Sequence, residues 1–156
     1  MPPTYCAHLA RAGNTTVGNI TRPQLLIDNA IELGYKASAV HAHHIVMKNA
    51  GLEFWTERYK YTIKAQELLK KYGVELLENE GSIARAGDEF DNMSWALNYA
   101  DGIHHDEYAR YISNGLAQAV DDALDKGLDA KQAIKDRLAG WKTLFEDGKT
   151  FWKQAS

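Results

Sequence analysis

Apolar residues recur at helical spacing over most of this chain and alternate at strand spacing only briefly. Leu25, Leu26, Ile27, Ala30, Ile31 and Leu33 form the first apolar face. Thr21 is a good N-cap for it, Pro23 suits the first turn, where a missing N–H costs nothing, and Gly34 suits the stop. A second helix is expected over residues 56–72, with Tyr59, Ile63, Leu68, Leu69 and Tyr72 inward and Lys60, Lys64, Lys70 and Lys71 outward; Gly73 ends it. Between these helices, residues 38–46 are short, partly β-branched and soon followed by the breaker Asn49-Ala50-Gly51, so a strand is expected there.

The second half continues in the same way. Residues 74–77 and 82–85 are short strand candidates around the turn Glu78-Asn79-Glu80-Gly81. Residues 88–98 read as a helix carrying Phe90, Met93, Trp95 and Leu97. From His105 onward, Tyr108, Ile112, Leu116, Ala119, Val120 and Leu124 give a long stripe that Gly127 breaks. Asp129 then caps a last helix with Ile134, Leu138, Trp141, Leu144 and Phe145, onto which Phe151 and Trp152 should fold back. The pattern predicts an α+β fold, mostly helical with a small β-hairpin. It divides into an irregular arm over residues 1–20, a core over 21–120 and a helical C-terminal extension over 121–156.

Composition narrows the classes. The chain has 156 residues, 45% apolar and 25% charged, which suits one globular domain with a sizeable core. No run approaches the roughly 18 apolar residues of a membrane span, and Met1 to Tyr5 lacks the basic-then-apolar layout of a secretory leader. Cys6 is the one cysteine, which excludes an internal disulfide and a Cys-rich zinc site. Any metal must therefore sit on histidine, carboxylate or amide groups. The net charge is −3, but residues 1–72 carry 9 Lys and Arg against 5 Asp and Glu, and residues 73–156 carry 9 against 16. The half with most of the histidines is mildly basic, and local charge governs phosphate contact because salt screens beyond about 8 Å.

Five of the six histidines fall in two clusters: His41, His43 and His44, and then His104 and His105; His8 reads as an ordinary structural histidine. Imidazole is the commonest metal ligand and can act as a base near neutrality. Neighbours in a strand point to opposite faces, so His43 and His44 can serve one site only where the strand ends or bends. His105 falls at the expected start of a helix. A hairpin followed by a helix, with a histidine from each, is the geometry of a single-metal phosphodiesterase site. A structural zinc site or an accidental cluster stays open on spacing alone.

The run Ala42-His43-His44-Ile45-Val46 resembles the signature of the AHH nucleases, toxin domains of the HNH/endonuclease VII superfamily from bacterial polymorphic toxins. Leu68 to Glu75 resembles the family's helix and turn, Glu78-Asn79-Glu80-Gly81 its Glu-Asn-Gly segment, and Gly102-Ile103-His104-His105-Asp106-Glu107-Tyr108 its closing Gly-x-His-x-x-Tyr segment. The resemblance covers roughly half the chain. Ala84-Arg85-Ala86-Gly87 replaces the family's Leu-Pro, and residues 88–100 resemble no part of it.

The resemblance implies a ββα-metal core and hydrolysis of phosphodiester bonds in nucleic acid, DNA favoured over RNA, with one divalent cation (Mg, Mn or Zn). It implies His43 as metal ligand together with His105 or His104, and His44 as general base. Asn79 would hold the loop or orient His44, and Lys48, Arg58, Lys60 and Lys64 would line the phosphate path. Implied partners are nucleic acid, a cognate immunity protein, and a carrier or secretion system that delivers the domain to a target-cell cytoplasm. Residues 121–156 are a candidate surface for such a partner. Two rival readings stand beside it: a non-catalytic metal-binding module, and an immunity-type interaction protein.

Overall fold

A computed structural model describes residues 16–17, 20–48, 53–74, 92–97, 106–149 and 151–155. In chain order these form β1 (Thr16–Val17), β2 (Ile20–Thr21), α1 (Gln24–Glu32), a short 3-10 turn (Ala37–Ala39), β3 (Val40–His44), α2 (Glu57–Lys71), β4 (Met93–Leu97), α3 (Asp106–Asp125), α4 (Ala130–Glu146) and a closing 3-10 turn (Phe151–Ala155). The molecule is mostly helical with small antiparallel pairs, as the periodicity implies.

The β3–β4 pair organises the fold. Its register sets Val40 against Leu97, Ala42 against Trp95, His43 against Ser94 and His44 against Met93. Directly opposed residues share a face, so Val40, Ala42, Trp95 and Leu97 lie together and pack on Leu26, Ile27 and Ala30 of α1. Ala96 belongs to the other face and joins the larger core, which α2, α3 and α4 build from Leu69, Ile112, Leu116, Ile134, Leu138 and their neighbours. The two strands are thus covered on both sides, by one helix on the first face and by the helical layer on the second.

Several local expectations hold. The helix expected over 56–72 runs Glu57–Lys71, with Thr56 as its cap, the hydroxyl accepting from Tyr59 N, and Asp129 caps α4 as expected, through Lys131 N. Gly73 and Gly127 take positive φ angles of 72° and 68°, the left-handed turn that ends α2 and α3. Phe151 and Trp152 do fold back and are buried.

Others are corrected. Residues 93–97 are a strand, not the helix expected over 88–98. Phe90, Met93 and Leu97 fit helical spacing, but Met93, Trp95 and Leu97 also alternate with the small Ser94 and Ala96, and the pairing with β3 decides between the two patterns. The cap of α1 is Pro23 rather than Thr21, which lies in β2; Pro23 still offers a carbonyl to Ile27 N at 3.1 Å. On α2 the fully buried residues are Thr62, Ala65 and Leu69, so its inner face is turned away from Tyr59 and Ile63, which stay half-buried. Ala123 takes the buried place expected of Leu124, which is exposed. The expected strand of 38–46 is shortened to Val40–His44 by the turn before it. Of the strand candidates at 74–77 and 82–85, Val74 is described and lies in no strand, and the rest lies outside the described residues. α3 runs through residue 120, and α4 shares one core with Ile45, Val46 and Met47.

Candidate active site around the histidine strand

Strand alternation separates the three histidines of β3. His43 faces the larger core and is only 5% exposed, His44 at the strand end is half-buried on the opposite side, and His41 is exposed. The His43 ring is enclosed by aromatic groups from the far end of the sequence: it meets Phe145 edge-on at 5.1 Å and Tyr108 at 5.7 Å, and Trp152 packs in turn on Tyr108 at 5.2 Å.

A directed hydrogen-bond chain runs through this cage. Tyr108 donates its hydroxyl proton to the Ile45 carbonyl, and His43 Nε2 lies 3.0 Å from the same hydroxyl oxygen. A phenol has one proton, so with it given to Ile45 the contact with His43 is completed by a proton on Nε2. A neutral His43 ring then carries its lone pair on Nδ1. Burial pushes the Tyr108 pKa well above its ordinary value, so the hydroxyl keeps its proton and the chain keeps its direction.

The turn after the strand is fixed just as firmly. Asn92 is wholly buried; its side-chain oxygen accepts from Val46 N at 2.7 Å, its side-chain nitrogen donates to Val46 O at 3.1 Å, and its own carbonyl accepts from Ile45 N at 3.1 Å. The chain beyond His44 is thereby clamped to the start of β4. Nothing in the sequence reading singled out Asn92. Its side-chain partner lies 46 positions away, so no local pattern marks it.

α2 and α3 meet at their N-terminal ends. Asp106, the first residue of α3, accepts from Arg58 N at 2.9 Å and so satisfies one of the donors that the start of α2 leaves without an intrahelical partner. Arg110 and Glu57 add an exposed pair at 3.8 Å. Through Tyr108, the same first turn of α3 touches His43.

Of the other residues expected in the site, Lys48, Lys60 and Lys64 are exposed and Arg58 is half-buried, the Lys64 ammonium standing 5.5 Å from the Tyr61 ring centroid. Asn79, His104 and His105 lie outside the described residues; the two histidines immediately precede α3 in sequence. Among the described residues, no three His, Cys, Asp or Glu side chains gather as a metal-holding group. A cavity of about 740 Å³ opens between α3 and α4, lined by Lys126, Arg137 and Trp141 among others, and none of the described histidines lines it.

The chain matches no protein-family model, no curated protein and no solved structure. No helix among the described residues is long and apolar enough to cross a membrane.

Proposed function

We propose that this chain is a metal-dependent endonuclease that hydrolyses phosphodiester bonds in nucleic acid, DNA favoured over RNA, at the end of the histidine strand. The observation that carries this reading is the His43–Tyr108 contact, which ties the strand to the first turn of the helix that His104 and His105 immediately precede. A strand pair followed by that helix is the layout the resemblance to AHH nucleases calls for.

The donor chemistry of His43 fits a cation. A ligating imidazole needs one nitrogen held by an acceptor and a lone pair on the other, and the Tyr108 oxygen holds Nε2 while Nδ1 carries the pair. His43, with His105 or His104, would hold the ion, which when bound would polarise the scissile phosphate and neutralise the leaving oxygen. His44 takes the proton of the attacking water. The strand ends at His44, the place where neighbouring histidines can serve one site. Asn92 keeps that end from moving. Lys48, Lys60 and Lys64 offer cations to the phosphates. An immunity-type protein and a delivery carrier are the partners this reading implies.

The enclosure of His43 by Phe145 and Tyr108 favours a second reading, a non-catalytic module in which His43 is a packed core residue. One assay separates the two. Purified protein is incubated with plasmid DNA, single-stranded DNA and RNA, with chelator and then with magnesium, manganese or zinc. The nuclease reading expects cleavage that chelation abolishes, that metal restores and that His44→Ala eliminates without unfolding the protein. Cleavage by His44→Ala would overturn the role of that residue, and no cleavage under any condition would leave the binding-module reading standing.

A further inference from the structure

Phe54 and Trp55 stand 70% and 63% exposed, their rings nearly perpendicular with centroids 5.1 Å apart. Local backbone chemistry does not account for them. Thr56 N donates to the Glu53 carbonyl at 3.0 Å, closing a turn in which Phe54 and Trp55 are the two central residues. Those positions favour Gly, Pro, Asn, Asp or Ser, which supply the required backbone angles or bond to it. Trp55 also directly precedes the cap of α2, a place from which an apolar residue can staple onto the fourth residue of the helix. That residue is Lys60, and it is exposed.

Their surroundings point to a ligand. Lys60 and Lys64 stand exposed on the helix that follows. The start of that helix is bonded through Arg58 N to Asp106, in the same turn of α3 that holds Tyr108 against His43. Two rings in water, in the turn that leads into the helix bearing Lys60 and Lys64 and at the end of α2 and α3 where Tyr108 meets His43, match the two parts of an unpaired nucleotide: a flat base and a phosphate.

We propose that Phe54 and Trp55 form a stacking platform for an unpaired nucleobase, so that the substrate of the histidine site is single-stranded nucleic acid. The inference rests on the nuclease reading and names its substrate class. A paired base has both faces covered by its neighbours in the stack, whereas an unpaired one offers a free π-face whatever its identity. Lys60 and Lys64 then track the backbone, which adds a salt-dependent share to binding.

The other tryptophans of the chain, Trp95, Trp141 and Trp152, are buried, so quenching of tryptophan emission by added nucleic acid reports on Trp55. The full chain is titrated with a thymidine dodecamer and with a blunt duplex of equal length, with and without magnesium, strand integrity being checked on a gel. The single strand should quench, and labelled single strand should bind Trp55→Ala and Phe54→Ala about tenfold more weakly. Trp55→Phe should restore most of the loss, because it keeps a ring. A protein that cleaves nucleic acid but binds duplex equally well, or binds single strand undiminished in Trp55→Ala, overturns the platform and leaves the nuclease reading intact. Absence of both cleavage and binding overturns both. Loss of a protein partner in Trp55→Ala, with single-strand binding unchanged, assigns the rings to that partner and overturns the proposal.

Discussion

The aromatic residues of this molecule divide into an inner group and an outer pair. Tyr108, Phe145, Phe151 and Trp152 interlock, three of their contacts edge to face and two tilted, around the His43 side of β3, with ring centroids 5.0 to 6.1 Å apart. Phe54 and Trp55 make the same kind of contact with each other, at 5.1 Å, and face water. Ring chemistry is equal in the two places, and only burial differs. Inside, a ring excludes water and fixes the tautomer and orientation of an imidazole. Outside, it offers a face for something else to cover. The comparison separates residues that hold the candidate site from residues that would meet its substrate.

The sharpest way to break the inner group is Phe145→Ala. Truncating a fully enclosed ring should cost about 3–5 kcal/mol of stability, read by chemical denaturation; a cost near that of a surface substitution would mean that the cage around His43 is not packed. Tyr108→Phe keeps the ring and removes only the hydroxyl, so a smaller loss of about 1–3 kcal/mol is expected at neutral pH. This variant also has a pH signature. Burial raises the Tyr108 pKa in the folded protein, so the folded state keeps a proton that the unfolded chain releases above the ordinary tyrosine value of about 10. The contribution is complete below that value and declines as pH rises beyond it, so melting temperature should fall more steeply above pH 10 in the wild type than in Tyr108→Phe. For the outer pair, Trp55→Ala should change stability by no more than about 0.5 kcal/mol in the same denaturation experiment. A large loss there would erase the distinction between the two groups.

Much of the helical framework was legible in the sequence. Its stripes, caps and glycine stops are local properties, and Thr56, Asp129, Gly73 and Gly127 each act within a few residues of themselves. The histidine strand was legible as well, because β-branched residues and a nearby breaker flank it. Its partner was not. β4 is five residues long and fits both periods, and only pairing with a strand some fifty positions earlier decides between them. Asn92 and the Tyr108–Ile45 bond were invisible for the same reason, since hydrogen bonds across 46 and 63 positions leave no mark on local pattern. The His104–His105 side of the candidate site was named from sequence and lies outside the described residues.

The path of the chain through the cage also sets an order of assembly. β3 is made early, yet its pairing strand, the Tyr108 hydroxyl, Phe145 and Trp152 all emerge from the ribosome later, the last of them more than a hundred residues on. Closing such distant segments carries an entropic cost that local helices do not, so α1 and α2 can form first while the strand waits. During synthesis the surroundings of His43 are completed only once Phe145, about a hundred positions further on, has been made. Ribosomes stalled before residue 145 would display helices without a finished histidine centre.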